Sequence, residues 1–140
     1  MLHEAATKDE ATAAVPDVLI IEDERISRTA LVMLLKSCGY HPAAYESAEQ
    51  ALEYLGHSPP PQVMLVDVDL PGMSGMELIE QSRRIHPAFR AVLITAAEGD
   101  RIARFRRDNA VDYLRKPVNF DRLLQMLDRF GISHHDSAAN

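Results

Sequence analysis

The amino-acid sequence predicts a doubly wound α/β domain, in which helices cover both faces of a parallel β-sheet. Its 140 residues suit one domain with a single core and are too few for two well-packed domains. Short apolar runs alternate with amphipathic segments five times along the chain. Three of these runs lack polar alternation, which is typical of parallel strands covered on both faces. The pattern therefore predicts an open (βα)5 sheet and three layers.

The strands and helices follow one another in strict alternation. The predicted strands are the five short apolar runs Val18 to Ile21, Ala43 to Tyr45, Val63 to Val66, Ala91 to Ile94 and Val111 to Leu114. The predicted helices are the segments with apolar residues at helical spacing, namely Ile26 to Ser37, Ala48 to Leu55, Gly75 to Ile85, Arg101 to Arg107 and Phe120 to Phe130.

Capping residues support the helix boundaries. Ser47 with Gln50, and Ser74 with Glu77, form capping-box patterns at the starts of the second and third helices. The other predicted caps are Asp100 and Asn119 before the fourth and fifth helices, and Gly39 and Gly131 after the first and fifth.

The predicted domain covers residues 17–131. Residues 1–16 and 132–140 lack apolar periodicity, so we expect a flexible N-terminal extension and a flexible tail. The first residues are acidic and do not resemble a secretory signal, and no apolar run approaches the roughly 20 residues of a membrane-spanning helix. We therefore expect a cytoplasmic protein without a membrane contact.

Charge is distributed unevenly. Residues 1–80 contain 4 basic and 14 acidic residues, whereas residues 81–140 contain 11 and 7, so the net charges of −10 and +4 sum to −6. Affinity for phosphate backbones comes from clustered lysine and arginine, and the acidic balance of the chain, with a pI near 5.4, argues against it. We therefore expect no direct binding of nucleic acid by this chain.

Acidic residues follow two of the predicted strands. Glu22 and Asp23 follow the first strand, and Asp67 ends the third. Ligands of open parallel sheets bind at the carboxyl ends of the strands, where these two strands are expected to be neighbours. Three carboxylates at such distances repel one another unless a cation lies between them. The sequence therefore predicts a Mg²⁺ site.

Two further polar residues end the fourth and fifth strands at the same rim, Thr95 and Lys116. With Mg²⁺ bound, a carboxylate can attack a phosphoryl group while the metal and the lysine neutralise the phosphoryl oxygens. Each residue alone would suggest only a structural role. Their conjunction at four strand ends indicates phosphoryl chemistry.

These motifs resemble the receiver domain of two-component response regulators, including the chemotaxis regulators, over about Asp17 to Phe130. The matching motifs are the acid pair Glu22-Asp23, the segment from Val66-Asp67-Val68-Asp69 to Gly75, the pair Thr95-Ala96, and the pair Lys116-Pro117. The resemblance implies a flavodoxin-like sheet with strand order 2-1-3-4-5.

The resemblance also implies the chemistry of the site. Asp67 would accept a phosphoryl group from a phosphohistidine on a sensor histidine kinase or a histidine phosphotransfer protein. Mg²⁺, or Mn²⁺, would be held by Asp23, Asp67 and the backbone carbonyl of Asp69, and by Glu22 through metal-bound water. Thr95, Lys116 and the backbone N–H of Ala96 would surround the phosphoryl group. Such a domain phosphorylates itself and loses the phosphate slowly, and it is not a turnover enzyme.

A conformational switch is implied by the same resemblance. Thr95 and Tyr113 would rearrange on phosphorylation and change the face formed by helix 4, strand 5 and helix 5. The Lys116-Pro117 peptide bond is expected to be cis. The resemblance further implies that phosphorylation can lead to a homodimer. The sequence does not identify the output partner.

Three departures from the family pattern lie close to that face. The spacing from Thr95 to Lys116 is one residue shorter, Asn109 replaces a usual glycine, and Val118 follows Lys-Pro in place of an aromatic residue. Because asparagine tolerates left-handed backbone angles, we expect Asn109 to take the turn. The departures predict an altered helix 4.

Two alternatives share parts of this pattern. Asp67 and Asp69 also resemble the nucleophile and general acid of haloacid-dehalogenase-like phosphatases, but in that family the motif usually opens the fold. A flavin-binding domain would need a phosphate-cradling loop after the first strand, where the acidic residues would repel a phosphate.

The lifetime of the phosphoryl group depends on residues that flank the path of a hydrolytic water. These are expected to be Asp69 and Ala97, each two residues after a site residue. Alanine cannot orient water, so we expect Ala97 to lengthen the lifetime.

Overall fold

The computed structural model describes residues 15–96 and 99–132 and contains there five strands that alternate with five helices. In chain order these are β1 Val18–Ile21, α1 Arg25–Ser37, β2 Pro42–Tyr45, α2 Ala48–Leu55, β3 Val63–Asp67, α3 Gly75–Ile85, β4 Arg90–Thr95, α4 Asp100–Asn109, β5 Asp112–Arg115 and α5 Phe120–Phe130. The predicted strands and helices are confirmed, with boundaries shifted by one or two residues. Most of both predicted tails lies outside the described residues.

The strands form one parallel sheet in the order β2-β1-β3-β4-β5, which confirms the predicted topology. The winding direction reverses between β1 and β3, where Ile21 pairs with Val66. Asp67 then pairs with Ile94 of β4. This register places the residues after Ile21 beside Asp67 at the carboxyl edge, the usual ligand position of such a sheet.

The core consists of two apolar layers, one on each face of the sheet. Because successive side chains of a strand point to opposite faces, β1 sends Leu19 and Ile21 to one layer and Val18 and Ile20 to the other. The first layer contains the buried residues of α2 and α3, and α4 adds only partly buried side chains. The second contains those of α1 and α5. Helices thus cover both faces.

Two predicted helix caps differ from the structure. Gly99, and not Asp100, is the N-cap of α4, and Asp100 is the first residue of the helix. At α2, the Ser47 side chain accepts from the Gln50 amide as predicted, but the Gln50 side chain accepts from the amide of Glu46. The capping box at Ser74 and the cap at Asn119 are confirmed.

Helix α4 is a regular helix of ten residues. The left-handed residue that ends it is Ala110, with φ 54° and ψ 56°, and the expectation for Asn109 was wrong. Asn109 stays helical because its side chain donates to the carbonyl of Phe105 and its carbonyl accepts from Arg83.

Within residues 15–96 and 99–132, no helix has the length and apolar character that crossing a bilayer requires.

Candidate functional site

Four strand ends meet at the carboxyl edge of the sheet. Glu22 follows β1, Asp67 ends β3, Thr95 ends β4 and Lys116 follows β5. Glu22, Asp67 and Thr95 are only 2%, 1% and 1% exposed, respectively. Buried ionisable groups require partners, because removing a charge from water is costly. The environment of the two carboxylates therefore determines what this edge can do.

Both carboxylate oxygens of Asp67 accept hydrogen bonds. Lys116 Nζ lies 2.7 Å from Oδ2, and the backbone N–H of Asp69 donates to Oδ1 at 2.9 Å. Charge-assisted bonds of this kind are among the stronger ones in proteins. They fix the orientation of the Asp67 side chain and hold the following loop against it.

Lys116 is the cation of this cluster. Its Nζ also lies 3.8 Å from Glu22 Oε1, and its backbone N–H donates to the Thr95 carbonyl at 2.8 Å. Burial lowers the pKa of Lys116, but the hydrogen bond to Asp67 and the negative charges of Asp67, Glu22 and Asp23 raise it by more. The net increase in pKa keeps the ammonium charged. The Lys116-Pro117 peptide bond is cis.

Glu22 is the residue of the cluster whose ionised form is disfavoured by its surroundings. Burial raises the pKa of its carboxyl from 4.5 to about 7, the backbone hydrogen bond from Glu24 opposes this rise, and the charge of Asp67 adds to it. One lysine does not compensate several neighbouring carboxylates, so a proton or a further cation is favourable here.

Glu22, Asp23 and Asp67 can place one carboxylate oxygen each within 4.8 Å of one another. Asp23 is exposed, whereas the other two are buried. Carboxylate oxygens are hard ligands that suit Mg²⁺, which usually keeps several waters and binds through one or two carboxylates. The donor set and its excess negative charge therefore fit this ion.

The loop between β3 and α3 is held close to Asp67. A Cβ atom added at Gly75 would lie 2.3 Å from the Asp67 carbonyl oxygen, so only glycine allows α3 to begin there. Glu49 of α2 accepts from the backbone N–H of Met73 at 2.9 Å. A Cβ atom at Gly72, whose φ is +78°, would lie 2.7 Å from the Glu49 Oε2 atom.

Two residues that support the site were not predicted from the sequence. Glu49 is one, and Arg28 of α1 is the other, because its guanidinium donates to the carbonyls of Glu22 and Asp23. An arginine five residues after an acid pair is a weak signal for Arg28. No pattern in the sequence links Glu49 to a loop 24 residues away.

The remaining predicted site residues lie around this cluster. Ala96 and Asp69 are exposed beside it, and Ala97 lies outside the described residues. Tyr113 on β5 is half-buried, and the Arg106 guanidinium lies 3.8 Å from the centre of its ring. This distance is typical of a cation–π contact and ties α4 to β5.

An apolar groove of about 530 Å³ adjoins the cluster. Its lining includes Glu22 and Lys116 of the cluster, together with the apolar side chains of Ile26, Ala30, Val118 and Phe120. Ile26 is 77% exposed and Phe120 is 40% exposed. Exposed apolar residues beside polar ones often mark interaction sites.

Known proteins resemble this chain throughout the domain. The model of the response regulator receiver domain matches residues 18–128. The transcriptional regulator NtrC of Klebsiella pneumoniae is 32% identical over 117 residues, which is 83% of this chain and 24% of NtrC. A cyclic di-GMP phosphodiesterase of Thermotoga maritima is 36% identical over 107 residues, which is 76% of this chain and 28% of that protein. The chain spans about a quarter of the length of these curated relatives.

A solved structure agrees with the sequence comparisons. The response regulator receiver protein of Pseudomonas putida has a TM-score of 0.76 and 29% identity, with 84% of this chain and 99% of that chain covered. These similarities give no support to the phosphatase alternative. Because the family model covers residues 18–128, which is most of the sequence, the chain belongs to the response regulator receiver domain family.

Proposed function

We propose that Asp67 is the phosphoacceptor of this receiver domain. The observation that carries the proposal is the position of its carboxylate, which is buried at the edge of the sheet and hydrogen-bonded to Lys116 at 2.7 Å. Two further acids lie beside it in an arrangement that suits a divalent cation. A fixed carboxylate next to a cation is suited to attack a phosphoryl group.

The proposed reaction forms one bond and breaks one. An oxygen of Asp67 bonds to the phosphorus of a phosphohistidine, the P–N bond breaks, and the released imidazole nitrogen takes up a proton from water. Lys116 moves from its bond with the carboxylate to the phosphoryl oxygens and neutralises their charge. The Thr95 hydroxyl and the Ala96 N–H supply further donors at the same edge.

Mg²⁺ or Mn²⁺ would supply positive charge for the phosphoryl oxygens. Asp23, Asp67 and the backbone carbonyl of Asp69 would hold the ion directly, and Glu22 through a bound water. The raised pKa of Glu22 supports a cation in this place. The exposed position of Asp23 supports a direct role, because its carboxylate faces the solvent from which the ion arrives.

The proposed phosphoryl donor is a phosphohistidine on a sensor kinase or a phosphotransfer protein. The apolar groove supports this assignment because Glu22 and Lys116 belong to its lining and Lys116 is hydrogen-bonded to Asp67, so a protein bound in the groove lies beside the proposed phosphoacceptor. The exposed residues Ile26 on α1 and Phe120 at the start of α5 give the donor an apolar surface to bury.

Phosphorylation is proposed to act through Thr95 and Tyr113 on the face formed by α4, β5 and α5. This step would change the output contact or allow two copies to associate. Loss of phosphate is proposed to be slow, with Ala97 unable to orient a water and Asp69 of smaller influence. Ala97→Gln should therefore shorten the lifetime of the phosphoryl group on Asp67 more than Asp69→Ala does.

Acetyl phosphate with Mg²⁺ tests the central assignment. The domain should gain one phosphoryl group by intact mass, and Asp67→Asn should gain none. Asp69→Asn is the matched control, because it makes the same chemical change two residues away and keeps the backbone carbonyl. Unchanged labelling of Asp67→Asn would show that the phosphoacceptor is another residue.

A further inference from the structure

Arg28 makes an unusual contact with the backbone of the acid pair. Its Nη1 atom donates to the carbonyl oxygen of Glu22 at 3.0 Å and to that of Asp23 at 3.3 Å. Arg28 lies in the first turn of α1, where its own N–H donates to the Glu24 carbonyl at 2.9 Å. The Arg28 side chain, which lies on the helix after the acid pair, therefore holds the carbonyls of two successive peptides.

Apart from the Arg28 contact, Glu22 is the better restrained residue of the acid pair, because its carboxylate accepts a hydrogen bond from the Glu24 N–H at 3.0 Å. The strand β1 ends at Ile21 and α1 begins at Arg25, so the acid pair lies in a short turn between them. The N–H of Glu22 still donates to the carbonyl of Tyr45, but Asp23 is exposed. The contact of Arg28 with both carbonyls restrains the orientation of these peptides, which sets the direction of the exposed Asp23 side chain.

The contact acts through geometry and not through direct charge pairing. Among residues 15–96 and 99–132, the ion pairs of Glu22 and Asp67 are both with Lys116. Removal of the guanidinium would therefore release the turn without unpairing a carboxylate.

We propose that Arg28 is a positioning residue for the divalent cation, which it serves by fixing the backbone that presents Asp23 and Glu22. The inference rests on the proposed function, in which these residues hold the ion. Residues that orient metal ligands from outside typically contribute 10- to 100-fold in metal affinity. Arg28→Met should therefore weaken Mg²⁺ binding by roughly tenfold.

The test is a Mg²⁺ titration followed by backbone amide chemical shifts. It compares the unmodified chain with Arg28→Met, Arg28→Lys and the control Arg25→Met, which removes the same charge from the exposed first residue of α1. Arg28→Lys retains a donor and should recover part of the affinity, while Arg25→Met should bind like the parent. If Arg28→Met does not fold, Arg28→Lys should still bind more weakly than Arg25→Lys.

A second measurement separates positioning from general damage. In acetyl phosphate labelling, Arg28→Met should need roughly tenfold more Mg²⁺ for the half-maximal rate and should reach the parental rate at saturating Mg²⁺. If Arg28→Met binds Mg²⁺ as tightly as the parent, or if Arg25→Met loses as much affinity as Arg28→Met, the positioning role of Arg28 is wrong. Neither result would contradict the proposed function. A parent chain that binds no Mg²⁺ or is not labelled would instead contradict the proposed function.

Discussion

Lys116 Nζ lies 2.7 Å from Asp67 Oδ2, although the two residues are 49 positions apart in the chain. The parallel sheet makes this contact possible, because β3 and β5 end at the same edge and Lys116 directly follows β5. The ammonium group of Lys116 has opposing effects on metal binding and on phosphorylation. It repels a divalent cation from the cluster, and it is available to neutralise a phosphoryl group on Asp67.

Lys116→Met should separate these two effects. Removing the positive charge should strengthen Mg²⁺ binding, because the carboxylates then have one cation fewer between them. The rate of Asp67 labelling by acetyl phosphate at saturating Mg²⁺ should nevertheless fall by roughly tenfold or more, since a donor to the phosphoryl oxygens is lost. The control is Arg115→Met, which removes the charge of the exposed neighbouring residue. Weaker Mg²⁺ binding by Lys116→Met would contradict this account.

The contribution of Glu22 to the stability of the metal-free domain should decrease as the pH rises from about 4.5 to 7. Burial raises the pKa of Glu22 from 4.5 to about 7, so the folded state binds a proton that the unfolded state has released in this range. The stabilisation is complete below pH 4.5 and lost above pH 7. The size of the effect is on the order of 3 kcal/mol, from about 1.4 kcal/mol per pH unit.

Glu22→Gln tests this pH dependence, because an amide cannot ionise and keeps an acceptor for the Glu24 amide. In urea unfolding with a chelator, the variant should be more stable than the parent at pH 8 and close to it at pH 4.5. Added Mg²⁺ should stabilise the parent at pH 8 more than the variant. A parent whose stability rises between pH 5 and 7 relative to Glu22→Gln would exclude the raised pKa.

Ala110→Gly should stabilise the domain. Ala110 has left-handed backbone angles, which cost an L-residue roughly 1–2 kcal/mol, and glycine adopts them freely. Part of the gain is offset by the greater freedom of glycine in the unfolded chain, so we expect a net increase of about 0.5–1 kcal/mol in the free energy of unfolding. Ala103→Gly, inside α4, is the control and should destabilise by about 1 kcal/mol in the same urea titration.

Ile26→Glu should impair phosphotransfer from a protein donor but not from acetyl phosphate. Ile26 is 77% exposed on the wall of the groove next to the cluster, and a charge there opposes burial of the donor's apolar surface. Labelling kinetics with a phosphorylated histidine phosphotransfer protein and with acetyl phosphate give the comparison. Ile85→Glu makes the same change at an exposed isoleucine on α3, and it should affect neither reaction. Equal rates for Ile26→Glu and Ile85→Glu with the protein donor would place the docking surface elsewhere.

The order of the strands and helices could be predicted from the sequence alone, and so could the meeting of Glu22, Asp67 and Lys116 at one edge of the sheet. Buried parallel strands need continuous apolar runs, such as the one that ends at Ile21. Such runs can be recognised in the sequence without any knowledge of the structure. Glu22, Asp67 and Lys116 could be assigned to one edge because they follow such runs, and parallel strands end together.

The contacts that support the site could not be predicted from the sequence. The hydrogen bonds of Arg28 to the acid-pair carbonyls, and of Glu49 to Met73, depend on how a helix lies against a loop, which local propensity does not encode. The position of the left-handed turn at Ala110 was likewise set by partners of Asn109 on α3 and α4. Asparagine was the more favourable residue for that turn on local grounds. The hydrogen bond from Arg83 of α3 and the bond to Phe105 within α4 together outweighed this preference, because each is comparable in free energy to the difference between the two residues in left-handed conformation.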